Sequence, residues 1–525
     1  MNDPVVNTQV DLAEATQQFR SQVGNISRQS GIYFAGIIFT TGFGYIFKIY
    51  LARVLGSKDL GLYALGMTLI GFFGIFNSLG LPQSAVRFVA SYHAAGKHKE
   101  LHALLWRGAA ILLAANVLLA AVFLTFGRLI SVRFYHSPEL VRYLPFFAVI
   151  MLVSVVSGFY SKVLAGYRDI RLRTLIVSFI GSPLNILFAV LLISSGIGLR
   201  GYLIAQILSA TLVFIMLVAA VRRHTPAPAR FTERTGSNPA REVWSFSAAM
   251  MGIGLLEFTM SQVDKVALGY YRGARDVGIY SIAAALVVYV PLVLSSINQI
   301  FAPTIADLHT RGEHALLARL FRALTKWSIG LTLPLAMVVM VFARPLMGTF
   351  GAEFESGWPI LIIGTIGQLV NCGVGSVGYL LLMSGNERRL MRVQAAMAAV
   401  MVVCTIALVP VLGIVGAAAA SAITNVGMNL GNLFEVKKTL GIIPYNKSYW
   451  RLVPPTAATL LLLLLLNRYS FVFRHNWLAV GVAGIAAYVL FAAMVFVTGL
   501  DADDHLIASA MWSKVRGSVR AGASV

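Results

Sequence analysis

The stretch GFGYIFKIYLARVLGSKDLGLYAL, residues 42–65, decides the fold. It continues an apolar run that begins near Gly31, and Lys48 interrupts that run. A charged side chain at membrane depth costs roughly 2.5–3.5 kcal/mol on insertion scales. Either the long stem of Lys48 carries its ammonium group to the membrane interface, or the ammonium group faces a polar cavity that needs a cation.

The composition of the chain indicates a membrane protein. Of its 525 residues 58% are hydrophobic and 12% are charged, and the mean hydropathy is +0.77, whereas soluble domains contain about 25% charged residues. Apolar windows long enough to cross the hydrocarbon core, about 20 residues each, recur along the chain. They lie near 31–52, 60–81, 103–126, 143–165, 174–195, 200–221, 243–269, 277–302, 326–347, 358–383, 393–412, 413–436, 451–467 and 477–499. These windows predict an all-α polytopic membrane protein with about 14 transmembrane helices.

The distribution of basic residues predicts the orientation of the chain. The net charge is +21, but the basic residues concentrate in alternate loops, such as those that hold Lys97, Lys99 and Arg107, or Arg388, Arg389 and Arg392. Cytoplasmic loops carry this excess of Lys and Arg. We therefore expect a multi-pass protein of the cell (inner) membrane with both termini in the cytoplasm. The basic charge indicates topology and contact with anionic lipid, and no nucleic-acid partner is expected.

The chain contains an internal duplication. Residues 42–65 align with 259–282, TMSQVDKVALGYYRGARDVGIYSI, at an offset of 217 residues. Two weaker matches at similar offsets pair 164–173 with 383–392 and 198–206 with 413–421. Colinear matches at nearly one offset predict that six helices are repeated as six more. Because each unit has an even number of spans, the repeats are parallel, and two further helices follow them.

The duplication sets the predicted domain boundaries. Transporters commonly place their sites near the middle of the membrane, between such repeats. The predicted parts are a cytoplasmic tail 1–29, a first lobe 30–221, a cytoplasmic linker 222–242, a second lobe 243–437, a C-terminal helix pair 438–499 and a cytoplasmic tail 500–525.

The repeated stretch ends in a glycine-rich turn, Gly56-x-x-Asp59-x-Gly61-x-Tyr63. Glycine allows a tight turn, and Asp59 is expected to cap the start of the helix that follows. This local explanation gives the turn a structural role.

Residues 50–100, YLARVLGSKDLGLYALGMTLIGFFGIFNSLGLPQSAVRFVASYHAAGKHKE, resemble the polysaccharide-transport (Wzx-type) branch of the MOP (multidrug/oligosaccharidyl-lipid/polysaccharide) flippase superfamily. The resemblance is carried by the A-R-x-L-G-x-x-D-x-G-x-Y turn, S-L-G-L-P and an Arg-containing helix end before a basic loop, and it extends more weakly over 31–499. It implies two six-helix lobes around a central cavity, with alternating access. It also implies a non-enzymatic flippase without a cofactor, whose cargo is an isoprenoid-diphosphate-linked oligosaccharide moved from the inner to the outer leaflet. A polysaccharide polymerase and glycosyltransferases would be its protein partners.

Two other functions stay open. A multidrug or metabolite cation antiporter of the same superfamily would suit the acidic Glu257, but the polysaccharide-type turn and the two in-membrane lysines argue against it. A membrane polysaccharide polymerase or ligase would be expected to expose a large outer loop with catalytic Arg, His or Asp. The longest outer segments, 127–142 and 344–357, are short.

Polar stripes on two repeat-related helices predict a cargo site. At 100° per residue, Lys48 shares a helix face with Thr41, Gly44 and Tyr45. Lys265 shares one with Glu257, Ser261 and, slightly offset, Asp264. A diphosphate in a region of low dielectric needs cations. We therefore expect Lys48 and Lys265 to face a common cavity and hold the diphosphate, with hydroxyl groups orienting sugars. Snorkelling of both lysines is the alternative.

Two further residues are candidates for contact with the cargo. Arg87, at the inner end of the second helix, would contact the headgroup or anchor the chain at the interface. Asn298 would contact the glycan, although a single in-membrane amide is more often a helix–helix contact.

Acidic residues distinguish the second copy from the first. At the offset of 217, Glu257 and Asp264 correspond to Thr40 and Phe47. A carboxyl group that exchanges H⁺ or Na⁺ as access alternates would couple a gradient to transport, and a structural ion-pair or helix partner is the alternative. Residues 373–378, GVGSVG, match a dinucleotide fingerprint but lack the preceding strand that it requires, so close helix packing or a local break explains them better. No metal site is predicted.

Overall fold

The computed structural model describes residues 42–77, 79–167, 169–225, 239–469 and 477–499. These ranges are helical and contain no strand, which confirms the all-α prediction. The helices are α1 Gly42–Asn77, α2 Leu81–Ala94, α3 His98–Leu129, α4 Leu144–Gly166, α5 Ile170–Thr174, α6 Ser182–Leu192, α7 Gly198–His224, α8 Pro239–Tyr271, α9 Ala274–Val287, α10 Leu292–Thr310, α11 His314–Val341, α12 Ala343–Gly348, α13 Trp358–Val374, α14 Val377–Met383, α15 Glu387–Leu412, α16 Ile414–Leu440, α17 Val453–Tyr469 and α18 Trp477–Thr498. Short 3₁₀ segments lie at Pro138–Tyr143, Ala352–Gly357 and Lys447–Leu452, and π-helical segments at Ile130–Phe134, Leu175–Gly181 and Ile193–Ile197.

In the described ranges, 10 helical stretches are long and apolar enough to cross a membrane, or up to 11 if α9 and α10, bent by 51°, form one span. Two of the ten stretches, Gly42–Asn77 and Ile170–His224, each overlap two predicted windows. Each predicted window falls at least partly on a described helix. The multi-pass helical architecture is therefore confirmed, and the number fourteen stays a prediction.

Glycines at repeat-related positions share unusual backbone angles. Gly198 has φ 59° and ψ −137°, and Gly413, its partner in the alignment of 198–206 with 413–421, has φ 58° and ψ −129°. Gly56 and Gly273, related by the offset of 217, have φ of 75° and 85°. Glycine reaches these positive φ values at no steric cost. The shared angles are what a duplicated structure requires.

The acidic residue of the repeated turn does not cap a helix as expected. In the first copy, α1 continues through Asp59 without a new helix start. In the second copy the N-cap of α9 is Gly273, and Asp276 lies in the first turn without a side-chain capping bond. A carboxylate in the first turn still interacts favourably with the helix dipole.

The chain divides into two compact units. The first takes residues up to Leu55 and from Gly66 to Leu255, and the second takes Gly56–Leu65 and residues from Leu256 onward. The core of the first unit lies between α2, α3, α4 and α7, where Phe88, Leu112 and Phe159 are buried. Glycine permits close approach there, because a Cβ on Gly166 would lie 2.8 Å from Val89. The domain boundaries 221/222 and 242/243 stay a prediction.

The second unit has two apolar clusters. One joins α10, α11, α14 and α16 through side chains such as Phe301, Phe321 and Leu380. The other packs the C-terminal helices α17 and α18 against α11, with Phe342 and Phe491 buried between them. These clusters fix the helices that surround the polar cavities described below.

Within the second unit, the two copies of the glycine-rich turn pack against each other. A Cβ on Gly61 would lie 1.6 Å from the carbonyl oxygen of Ala274, and a Cβ on Gly278 would lie 1.9 Å from that of Ser57. The two contacts are related by the offset of 217, so each turn meets the other in the same way. We call these four residues the turn contact. Only glycine lets the two backbones approach this closely.

A carboxylate holds the first copy of the turn in place. Glu353 accepts hydrogen bonds from the Ser57 backbone N–H at 2.8 Å and from the Ser57 hydroxyl at 2.6 Å. Hydrogen bonds to a charged acceptor are the stronger kind. Glu353, in the 3₁₀ segment Ala352–Gly357, therefore fixes Ser57 near the start of the first copy of the turn.

Candidate functional site

A cavity of about 510 Å³ lies inside the second unit, between α8, α9, α13 and α16. Most of its wall is apolar, and polar side chains line the rest. The polar side chains that line it include Asp264, Lys265, Tyr280, Gln368, Ser421 and Asn425. We call it the acid cavity, because it contains the carboxyl group of Asp264.

Asp264 is the buried acid of this cavity, with 5% of its surface exposed. Its carboxylate accepts hydrogen bonds from the Tyr280 hydroxyl, from the Ser421 hydroxyl at 3.1 Å and from the Lys265 backbone N–H at 2.8 Å. Three donors from α8, α9 and α16 compensate for the lost hydration of a buried carboxyl group. The cluster therefore joins three helices through one group that can gain or lose a proton.

The other candidates on α8 lie differently from Asp264. Lys265 lines the acid cavity, and its ammonium group donates to the Gln262 side-chain oxygen at 2.9 Å and to the Ser261 carbonyl at 3.3 Å. Ser261 is exposed, and its hydroxyl bonds to the carbonyl of Glu257, which is exposed as well. Of the two predicted coupling acids, the structure thus places Asp264 in a buried, hydrogen-bonded site and Glu257 on an exposed face.

The first unit has no acid at the equivalent positions. Phe47, the counterpart of Asp264, is buried, and its ring lies 6.0 Å from the ring of Tyr202. Gln206, the counterpart of Ser421, donates to the Tyr202 hydroxyl at 3.2 Å. The acid cluster therefore belongs to the second copy, as the sequence predicts.

The remaining candidates of the first copy are dispersed. Lys48 and Tyr45 are half-buried on α1, and Thr41 lies outside the described residues. Arg87 is exposed on α2, with its guanidinium group 5.7 Å from the centre of the Phe88 ring. The common cavity for Lys48 and Lys265 stays a prediction, as do the roles of these side chains.

A second cavity of about 330 Å³ contains the last candidate, Asn298. Carboxamides and two hydroxyls form its polar lining, so we call it the amide cavity. These side chains are Asn298, Asn371, Ser376, Tyr379, Gln394, Asn425, Asn429 and Asn432. The GVGSVG stretch also lies here as a helix break, since α13 ends at Val374 and α14 begins at Val377. In the described part of the chain, no group of three or more His, Cys, Asp and Glu side chains is arranged to hold a metal ion.

Two residues of the acid cluster escaped prediction. Tyr280 belongs to the repeated turn, where a purely structural role was expected, and Ser421 ends the weaker match of 198–206 with 413–421. They lie 16 and 157 residues from Asp264. The signal that points to both is their place in the repeat alignments, the first of which also contains Asp264.

A family described as "Polysaccharide biosynthesis protein" matches residues 26–309, more than half of the chain. A curated relative, the succinoglycan biosynthesis transport protein ExoT of Rhizobium meliloti (strain 1021), is 25% identical over 328 residues. That alignment covers 61% of this chain and 62% of the relative, so the chain matches less than two thirds of the relative's length.

Two solved structures with a similar fold are a flippase and a multidrug transporter. The lipid II flippase MurJ in an inward closed conformation has a TM-score of 0.67 and 16% identity, and the match covers 88% of this chain and 99% of that chain. An inward-facing multidrug resistance MATE family transporter of the MOP superfamily has a TM-score of 0.62 and 14% identity, over 76% and 94% of the two chains. At these identities the likeness shows the fold alone.

Proposed function

We propose that this chain, which belongs to the polysaccharide biosynthesis protein family, is a flippase that moves an isoprenoid-diphosphate-linked oligosaccharide from the inner to the outer leaflet of the cell membrane. Family membership confirms the resemblance to the polysaccharide-transport branch of the MOP superfamily. The curated relative is named for transport in succinoglycan biosynthesis, which favours an exopolysaccharide repeat unit as cargo and a non-enzymatic role. Glycosyltransferases would supply that cargo, and a polymerase would consume it.

The observation that carries the proposal is a charged, hydrogen-bonded cavity among the helices of the second unit. Ionisable residues at membrane depth are costly and mark pathways for substrates and ions. The acid cavity places the ammonium-bearing Lys265 beside the carboxyl group of Asp264. A cation suits the diphosphate of the cargo, and together with Lys48 it would bind both ends of that group.

Coupling to a cation gradient is the second part of the proposal, with Asp264 as the group that exchanges H⁺ or Na⁺. Asp264 is buried and its carboxyl group is hydrogen-bonded to two other helices, whereas the carboxyl group of Glu257 lies on an exposed face. The hydroxyl groups of Tyr280 and Ser421 can donate to the ionised form and rotate when the acid is protonated. Binding or release of one cation would thus rearrange contacts among α8, α9 and α16.

Replacement of Asp264 by asparagine should stop gradient-driven transport and spare cargo binding. Asparagine retains an oxygen that accepts from Tyr280 and Ser421 but cannot be ionised. We expect driven transport of a lipid-linked oligosaccharide in proteoliposomes to fall at least 10-fold. Cargo affinity should stay within about 3-fold of the original, a smaller change than the factor of ten that corresponds to 1.4 kcal/mol.

Two further variants make this test decisive. Asp307→Asn removes an exposed acid paired with Arg311 at 3.0 Å and should leave driven transport unchanged, because exposed ion pairs contribute little. Glu257→Gln separates the two predicted acids. Loss of driven transport in Glu257→Gln, together with normal transport in Asp264→Asn, would assign coupling to Glu257 instead.

The proposed direction of transport depends on the orientation of the chain. Cysteines at the exposed positions Lys97 and Glu387 should react with an impermeant maleimide only from the cytoplasmic side, and cysteines at Glu139 and Glu355 only from outside. The positive-inside rule is the physical basis. Labelling of whole cells and of inverted vesicles measures it, and reversed reactivity at either pair would contradict both the orientation and the direction.

A further inference from the structure

The acid cavity and the amide cavity are neighbours in the second unit. Asn425 and Met428, one turn apart on α16, line both of them. From this shared wall the acid cavity leads to Asp264. The amide cavity leads the other way, to Leu382 and Gln394 on either side of the turn between α14 and α15. The two cavities thus follow one direction along α16, from the buried acid towards the turn at 384–386.

The lining of the amide cavity is polar but carries no formal charge. It consists of carboxamides and hydroxyls set among apolar groups, and Tyr379 contributes a weakly acidic hydroxyl. Asn432 is 3% exposed, and its side-chain oxygen has no hydrogen-bond partner among the described residues. Buried polar atoms are ordinarily satisfied by protein or by water, so this oxygen indicates a position where water or a cation binds.

The helix break between α13 and α14 also indicates that water or a cation binds in the amide cavity. Gly375 has φ 78°, and the hydroxyl of Ser376 donates to the Asn298 side-chain oxygen from the adjoining α10. Non-helical backbone at membrane depth is tolerated where it is buried in protein or lines a water-filled cavity. Interrupted helices also supply carbonyl oxygens to H⁺ and Na⁺ sites in transporters.

We propose that the amide cavity is a hydrated passage for a monovalent cation, H⁺ or Na⁺, between Asp264 and the membrane face beside the turn at 384–386. The passage rests on the proposed coupling at Asp264. Carboxamide oxygens replace part of the hydration shell of Na⁺, and water held by them relays H⁺. Because the passage lacks a carboxylate of its own, a cation binds weakly there and moves on, which conduction requires. At the end of the passage that contains Asp264, the other ionisable groups that line the acid cavity are Lys265 and Tyr280.

The first test is accessibility to water. In a background with Cys372→Ala and Cys404→Ser, a single cysteine at Asn432 or at Asn425 should react with a charged methanethiosulfonate reagent in membranes. When both cysteines are present in one chain, reaction at Asn432 should slow later reaction at Asn425. Cysteine at Ser209, a buried residue of the first unit whose hydroxyl donates to the Gly181 carbonyl at 3.1 Å, is the matched control and should stay unreactive. Reactivity at Asn425 and Asn432 no greater than at Ser209 would overturn the passage.

The second test removes the amide group of Asn425, which lines both cavities. Asn425→Leu preserves side-chain size and removes the amide, so gradient-driven cation uptake in proteoliposomes should fall at least 10-fold while cargo binding is retained. Asn425→Gln should restore most of the flux. A pH-sensitive dye and radioactive sodium identify whether H⁺ or Na⁺ moves.

Asp264→Asn in the same assay separates the two proposals. If Asp264→Asn stops uptake and Asn425→Leu leaves it normal, the passage is wrong and the coupling stands. If Asp264→Asn leaves uptake normal, the coupling itself fails, and the passage that depends on it falls as well.

Discussion

Replacement of Gly61 by alanine should destabilise the protein by about 3 kcal/mol, as overpacking of a close contact typically does. A Cβ at this position would lie 1.6 Å from the Ala274 carbonyl oxygen, and rigid backbone cannot yield as a flexible side chain can. The usual preference of helices for alanine over glycine, up to about 1 kcal/mol, is too small to compensate. The thermal unfolding midpoint of the purified protein in detergent should therefore fall, with a lower yield of folded protein.

The repeat supplies a second variant, and α1 supplies a control. Gly278→Ala should be equally damaging, because its Cβ would lie 1.9 Å from the Ser57 carbonyl oxygen. Gly74→Ala, in the same helix as Gly61, meets no atom within 4 Å and should be neutral or slightly stabilising. Similar midpoints for Gly61→Ala and Gly74→Ala would show that the turn contact does not form.

Loss of both Lys48 and Lys265 should reduce glycan export to near background. Each lysine is expected to donate a charge-assisted hydrogen bond to the diphosphate, worth about 1.5–3 kcal/mol. A single Lys→Gln replacement should then weaken cargo binding roughly 10- to 150-fold. The measurement is export normalised to membrane-inserted protein, and a titration with lipid-linked oligosaccharide gives the affinity.

Variants that retain the charge separate cargo binding from membrane anchoring. Lys48→Arg and Lys265→Arg should keep part of the activity, and Lys97→Gln, which removes an exposed lysine outside the helical spans, should keep all of it. A snorkelling lysine predicts lower insertion with normal export per inserted molecule. Normal export in the double variant would identify both lysines as interface anchors.

Apolar windows in the sequence predicted the helices well, because each membrane span requires a long apolar stretch. The alignment of 198–206 with 413–421 also anticipated the matching backbone angles of Gly198 and Gly413. The turn contact was not predictable in this way. An alignment shows that two segments are alike, and it contains no information on whether they touch.

The candidate site shows a similar limit. Argument from a helical stripe groups residues with Lys265 and places Asp264 slightly off that face, since adjacent residues are rotated by 100°. In the structure the rotation is what matters, because it directs Asp264 to Tyr280 and Ser421. Hydrogen bonds that join α8 to α9 and α16 depend on tertiary packing, which periodicity along one helix does not specify.

The turn contact also bears on how such a chain arose. In an isologous interface, patch i meets patch j while j meets i, and Gly61 with Ala274 and Gly278 with Ser57 satisfy that condition at a shift of 217 residues. An ancestral chain with six helices and a single turn could make the same contact with a second molecule of itself. Fusion of two such chains would preserve the contact, so the two copies of the turn meet as two identical subunits would. Compensating substitutions among its descendants should then occur in pairs, one in each half.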